Sequence, residues 1–466
     1  VARDTWYRLD NIGKFYSSEA GGHAQTVFRY SATLVDEVDP TILQSALTST
    51  AALFPGFNVC LRSGLFWHYL QQSPEPPRAV PESLPVCFGL HVDAKSVLFR
   101  VSYYRERINL EVSHIVSDGR GSLGFFKALL TSYLGRRYGV ADAAHDYDGS
   151  ASQKAENSFD KYFERDKAAA EPMPRAYQLV GWRDEADPTF MEYHLPVRPV
   201  IDLAHSWGVS LTALMSAAVM ASIREEMPRR ERHRPIRIDV PVDLRQHFQS
   251  ATAKNFFGLA FLSYTPGESD EPVEEIARQM GSQLKKATDP DHLKLRMNRM
   301  IALEKNPVLR FAPLFLKDLV LEAASRVAEH TSTTTVSNLG VVRLDERIAP
   351  YVRNMNVLTS TRGLKFTLCS YGDDLSVGIS TAFSNHNVEK NLVRFFSSQG
   401  IEGYLNYSKS REEAAEDRLE AQFEESVKKL AQNAEKPRAR KPRVPKGDGE
   451  AARAYSLRAV AKGGSR

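Results

Sequence analysis

The stretch Glu111-Val-Ser-His-Ile-Val-Ser-Asp-Gly119 decides how this chain is read. It puts one histidine, His114, at the end of an apolar run, an aspartate, Asp118, four residues later, and a glycine, Gly119, at the opening of a helical pattern. Upstream, residues 97–104 and 108–112 carry β-branched and aromatic side chains at period-2 spacing around Arg105-Glu106-Arg107, which predicts two antiparallel strands joined by a charged turn. Downstream, Leu123, Phe126, Leu129, Leu130 and Leu134 recur at three- and four-residue intervals, which predicts a helix packed on that sheet. The motif therefore sits at a strand-to-helix corner, where a side chain is held on rigid support.

An imidazole titrates near pH 6.5, so a neutral ring takes a proton from a hydroxyl or amine and returns it to a leaving group at physiological pH. Such a ring needs one orientation and one tautomer. Asp118, beyond a tight turn that glycine permits, suits an architectural role: it braces the loop by pairing with a distant arginine or with backbone N–H groups.

His114-Ile-Val-Ser-Asp118-Gly119 resembles the HxxxDG motif of the superfamily of CoA-dependent acyltransferases. That superfamily includes chloramphenicol acetyltransferase, the condensation domains of peptide synthetases, plant hydroxycinnamoyl-type acyltransferases and alcohol acetyltransferases. Other segments agree in order and spacing. Ile236-Arg-Ile-Asp-Val-Pro-Val-Asp-Leu-Arg245, followed by Asn255-Phe-Phe-Gly258, is similar to the strand, arginine and FG segment that follow the histidine in the superfamily, and Thr335-Val-Ser-Asn-Leu-Gly340 resembles the later SNxG segment of alcohol acetyltransferases. The resemblance spans roughly residues 5–403 and is nearest to bacterial alcohol acetyltransferase-like proteins. Condensation domains usually carry two adjacent histidines where this chain has Ser113 and His114, which favours a donor bound to CoA over one bound to a carrier protein.

The resemblance implies an α/β (α+β) fold of two similar subdomains, each a mixed sheet flanked by helices, with the active site in a tunnel between them. It implies acyl transfer, of an acetyl group first of all, from acyl-CoA as co-substrate to the hydroxyl of a small-molecule alcohol, or to an amine, with no bound cofactor and no metal. His114 is then the base, Asp118 the partner of an arginine from the second half, with Arg245 the candidate, and Gly119 the residue that lets the corner turn. Ser337 and Asn338 are candidates for an oxyanion or substrate contact, although serine and asparagine before glycine equally describe a plain turn. The segment Asn255-Phe-Phe-Gly258 reads as packing and not as chemistry. Trp6, Tyr7, Phe66, Trp67 and Tyr69 read mostly as core, with an apolar acceptor pocket as the competing reading. A carrier-protein donor, and a binding or scaffold protein of the same fold without catalysis, are the alternative functions.

The chain has 466 residues, 42% of them hydrophobic, enough for two or three sizeable cores. The longest apolar stretch, residues 211–223, has the length of a buried helix and falls short of a membrane span. The opening residues lack the apolar core of a signal peptide, and the three cysteines, Cys60, Cys87 and Cys369, show no ligand spacing; together these read as a cytoplasmic protein with reduced thiols. No zinc or iron–sulfur arrangement and no Gly-rich phosphate loop is visible in the sequence.

Periodicity organises the rest. It predicts a helix over 41–54, strands over 57–62 and 65–71, a charged connector over 141–195, helices over 200–207 and 211–226 with Ser210 as N-cap, and strands over 236–242 and 256–264. Helices follow between 272 and 329, strands near 333–336, 355–360, 365–371 and 375–382, and a closing helix over 388–398. The boundaries expected are an N-terminal subdomain over 1–180, a C-terminal subdomain over 181–405, a charged helix over 406–433 with a thin apolar stripe, and a basic, proline-broken, disordered tail over 434–466. The net charge of +4 conceals +7 on residues 435–466, which leaves the remainder at −3. No aromatic residues interleave with the basic run Lys436 to Lys446, so a solvated tail is a better reading than nucleic-acid or membrane contact. Sequence fixes neither the acceptor nor the oligomeric state.

Overall fold

The strand that delivers His114, Arg107–Ser113, is central in a five-stranded sheet, between Val27–Leu34 on one side and Phe99–Tyr104 on the other, both antiparallel to it. Ala79–Pro81 forms one edge, parallel to Phe99–Tyr104, and Val352–Thr359 forms the other. The computed structural model describes residues 5–18, 26–87, 90, 96–140, 143, 150–164, 173–305, 313–314, 316–321 and 330–407. All of these lie in one compact unit, Val1–Ala414.

Helices Pro40–Leu53 and Gly119–Tyr138 pack on each other against this sheet. The first starts where Asp39 accepts from the N–H groups of Thr41 and Ile42 with Pro40 opening the helix, and the second ends where Gly139 takes a left-handed φ of 74°. Beneath them Phe57 and Phe125 stack at 4.6 Å with Phe54 and Phe99 edge-on around them, so burial of these rings fixes the distance between helix and sheet.

The second sheet has seven strands, in the order Phe257–Tyr264, Ile236–Asp243, Thr334–Val341, Leu364–Tyr371, Asp374–Thr381, Thr189–Pro196 and Tyr404–Tyr407. Thr334–Val341 runs parallel to both neighbours and all other pairs are antiparallel, so the sheet is mixed, as expected. Leu211–Glu226 is buried nearly all round between Val273–Ala287 and Asn387–Ser398, and Ser210 caps it by accepting from the N–H of Ala213. A third, three-stranded sheet orders Trp6–Arg8, His68–Gln72 and Val59–Ser63.

The two large sheets have separate apolar cores, but no single cut in the sequence divides them. Val352–Thr359 lies beyond the boundary expected at 180/181, yet it hydrogen-bonds to Val27–Leu34 and packs across the seven-stranded sheet. Gly378 allows that contact: a Cβ there would stand 2.0 Å from the carbonyl oxygen of Val357.

Other differences are local. The strand expected over 65–71 is His68–Gln72, because Leu65 and Phe66 turn outward and are exposed. The connector conceals the strand Thr189–Pro196, and an early helix, Asn11–Ser18, was not expected at all. Residues 406 and 407, assigned to the charged helix, end the edge strand Tyr404–Tyr407; the rest of that helix and the basic tail lie outside the described residues.

Candidate active site

His114 emerges from the end of its strand into a nest of rings. Tyr16 stacks on it at 4.2 Å, Phe28 lies at 4.7 Å and Phe257 at 5.5 Å. Burial among them lowers its pKa to about 4, against the pull of the Asp118 charge, so the ring is uncharged at neutral pH.

Its tautomer follows from its partner. The side-chain nitrogen of Asn255 donates to both carboxylate oxygens of Asp10, at 3.2 and 3.1 Å, and to the carbonyl of His114 at 3.0 Å. That leaves the Asn255 oxygen as acceptor for His114 Nδ1 at 2.7 Å, which must therefore carry the proton. Nε2 holds the lone pair, and among the described residues it makes no hydrogen bond. Burial raises the Asp10 carboxyl to about 6, restrained by the N–H of Gly13, by Lys254 and by Asn255. The segment Asn255-Phe-Phe-Gly258, read from sequence as packing, thus supplies the group that orients the ring.

Asp118 does three structural jobs. It caps the helix Gly119–Tyr138 by accepting from the N–H of Gly121 at 2.8 Å, accepts from the N–H of Phe256 at 2.7 Å, and takes a two-pronged pair from Arg245 at 3.0 and 3.1 Å. Arg245 also donates to Asp243 at 2.8 Å and to the carbonyls of Thr252 and Lys254, at 2.9 and 2.6 Å. Although burial alone would lower its pKa, Asp118 and Asp243 hold the guanidinium charged. The structure thus brings Asp118 and Arg245 together across 127 residues of sequence. A second clasp is Arg120, which donates to the Leu339 carbonyl at 2.9 Å and pairs with Asp243 at 3.4 Å.

Gly119 accepts through its carbonyl from the Tyr30 hydroxyl at 2.7 Å, and a Cβ on it would meet the movable Leu339 methyl at 2.8 Å. Gly121 is the stricter glycine, since its Cβ would stand 2.1 Å from the carbonyl oxygen of Ala253. Nothing in the HxxxDG pattern singles it out; only the close approach of helix and loop does.

His114, Asp118 and Gly119 border a cavity of about 1270 Å³ that runs between the two sheets. Phe15, Val242, Phe257, Leu259 and Met297 give it apolar walls, while Asp239, Thr335, Ser337, Thr367 and Lys365 face it from the seven-stranded sheet. Ser337 and Asn338 also line it, but the Asn338 amide is committed: its oxygen accepts from the N–H of Gly340 at 2.8 Å and its nitrogen donates to Thr212 at 2.9 Å. Asn338 therefore shapes the turn, in which Gly340 has a φ of 76°, and Ser337 keeps its hydroxyl on the cavity side. Of the aromatic residues read as core, Trp67 lines the cavity and Trp6 and Phe66 are exposed.

Residues 198–346 match the family described as the phthiocerol/phthiodiolone dimycocerosyl transferase C-terminus. No curated protein matches the chain in sequence. In fold it is similar to polyketide synthase associated protein 5 from Mycobacterium tuberculosis, with 13% identity and a TM-score of 0.56 over 84% of this chain and 96% of the other. It is also similar to the first condensation domain of the calcium-dependent antibiotic synthetase, with 16% identity and a TM-score of 0.59 over 85% and 95% of the two chains. A trichothecene 15-O-acetyltransferase from Fusarium sporotrichioides gives 13% identity and a TM-score of 0.56 over 85% and 95%. The chain thus shares the fold of these condensation-domain and acyltransferase structures.

Proposed function

We propose that this protein transfers an acyl group from a CoA thioester to the hydroxyl of a small-molecule acceptor, with His114 as general base. The observation that carries this reading is the fixed Nδ1–H tautomer of His114, which leaves the Nε2 lone pair as the ring's basic site in a residue that borders the cavity. The acceptor O–H gives its proton to Nε2 as its oxygen bonds to the thioester carbonyl carbon. The C–S bond then breaks, and the imidazolium returns the proton to the departing thiolate, giving an ester and free CoA thiol. Developing negative charge on the carbonyl oxygen requires donors near 3 Å, and the Ser337 hydroxyl is the candidate from the second half. Acetyl is the acyl group proposed first, although the cavity has room for more.

The test is thiol release from free acetyl-CoA with a panel of alcohols and amines, run beside the same acyl group on a phosphopantetheine-loaded carrier protein. Transfer from free CoA to an alcohol supports the proposal. Transfer from the carrier alone, or to amines alone, moves the protein to condensation-type chemistry, and no release with any donor overturns enzymatic acyl transfer.

A further inference from the structure

Proton uptake turns His114 into an imidazolium, and the surroundings of the ring receive that charge poorly. Burial disfavours it, and Lys365, from Leu364–Tyr371 in the seven-stranded sheet, repels it. The Asp118 carboxylate attracts it, but that carboxylate also serves the Arg245 guanidinium. The group bonded to Nδ1 is the neutral amide of Asn255, with Asp10 on the far side of it.

One ring is placed to compensate. Tyr16 has its centroid 4.2 Å from that of the imidazole and its plane within 18° of it, so it turns its π face to His114. Phe28 and Phe257 lie further off, at 4.7 and 5.5 Å, and are tilted by 53° and 38°. An aromatic face within about 6 Å attracts a cation, more strongly where water is excluded.

The local structure holds this stack. Tyr16 belongs to Asn11–Ser18, where Asp10 Oδ1 accepts from the N–H of Gly13 at 2.6 Å. The same carboxylate accepts from the backbone and side-chain nitrogens of Asn255. A Cβ on Gly13 would stand 2.7 Å from the carbonyl oxygen of Ile115, so glycine lets the helix lie against the residue that follows His114. One carboxylate therefore fixes both the helix that carries Tyr16 and the amide that selects the tautomer of the base.

We infer that Tyr16 is a further positioning residue of the reaction: its ring holds the imidazole flat, and its π face stabilises the imidazolium that exists between proton uptake and proton return. The inference rests on the acyl-transfer reading for its catalytic consequence, while the stacking itself is measurable without turnover.

The test replaces Tyr16 in the full chain by phenylalanine and by mono-, di- and trifluorophenylalanine, which keep the shape of the ring and withdraw electrons from its face step by step. Tyr16→Phe is the reference, so the hydroxyl plays no part in the comparison. Relative to it, kcat for thiol release should fall progressively, to about tenfold at three fluorines, with the acyl-CoA KM moving less than twofold. The His114 pKa, followed by NMR on histidine-labelled protein and assigned with His114→Ala, should fall in the same order by up to about one unit. If the trifluoro variant fails to fold, the mono- and difluoro variants decide the trend. A kcat and a His114 pKa that ignore fluorination, a pKa that rises towards that of a free imidazole, or an effect on KM alone overturns the inference. If the pKa falls along the series yet no acyl-CoA releases thiol, the stacking role stands and the acyl-transfer reading falls.

Discussion

His114 and Asn255, 141 residues apart in sequence, meet at 2.7 Å between Nδ1 and the amide oxygen, and Asp10 holds the far side of that amide. The chain Asp10–Asn255–His114 does what a carboxylate alone does in other base arrangements: it selects one tautomer and one ring orientation. Here the neutral amide stands between, so no charge touches the ring directly. Asn255→Ala should therefore lower kcat for thiol release about 10²-fold, the typical consequence of a misplaced catalytic group, while the acyl-CoA KM changes little. A variant that kept wild-type kcat would remove Asn255 from the account.

The pH profile carries the sign of the burial. His114 is depressed to about 4, so the acid limb of kcat/KM should lie below pH 6, under the 6.5 of a free imidazole. A limb at 6.5 or above would mean a solvated ring. The effects on stability oppose each other. The depressed His114 contributes stability that is present above its unfolded pKa of 6.5 and lost as pH falls through 4. Asp10, raised to about 6, contributes stability present below its unfolded 3.8 and lost as pH rises through 6.

Asp118→Asn should cost about 3 kcal/mol, because it leaves the buried Arg245 guanidinium with half of its carboxylate partners and weakens the helix cap at Gly121. Arg245→Lys should cost a similar amount, since an ammonium cannot reproduce a planar fork that reaches Asp118, Asp243, Thr252 and Lys254 together. Urea denaturation of both variants, with thiol release measured at the same time, checks this; a loss of activity without a loss of stability would give Asp118 a chemical role instead.

Glycine substitutions separate sequence pattern from geometry. Gly121→Ala should unfold the corner or displace it by forcing the helix off the Ala253 carbonyl, despite alanine's helix preference of about 1 kcal/mol. Gly119→Ala asks only that the Leu339 side chain shift, and should be the milder of the two in melting temperature. The reverse order would contradict the packing described here.

A buried charge cluster far from the chemistry predicts a stability optimum. Burial alone would depress His194, but its 2.8 Å bond to Asp374 and the nearby Glu192 raise it to about 9; burial alone would raise Glu192, but His194 and Arg107 hold it at about 2. The raised histidine contributes stability present below pH 6.5 and lost as pH rises through 9, and the depressed glutamate contributes stability present above 4.5 and lost as pH falls through 2. Denaturation midpoints should peak between these limits, and His194→Gln should flatten the alkaline side by about 2 kcal/mol.

The strand, corner and helix around His114 were legible because local periodicity and a turn glycine specify them without help from distant residues. Arg245 was legible as a partner for Asp118 because the motif pattern, not the spacing, points to it. The role of Asn255 was hidden, since an asparagine before two phenylalanines looks the same in sequence whether it packs or orients a ring; only the fold puts it beside His114 and Asp10. Val352–Thr359 was seen as a strand but not as a member of the first sheet, because nothing in its alternation names its partner and Gly378 reports the crossing only once a Cβ is tested there. Thr189–Pro196 was missed because its charged flanks resemble a linker, although His194 and Glu192 within it are buried by pairing.

The central claim is that an uncharged His114 removes a proton from the acceptor, and it is tested most directly by CoA thiol release at pH 7 from the wild type and from His114→Ala, with acyl-CoA affinity measured on both by calorimetry. The account predicts a rate lower by about 10²–10⁴-fold with donor affinity preserved. A His114→Ala protein that turns over at the wild-type rate would contradict it.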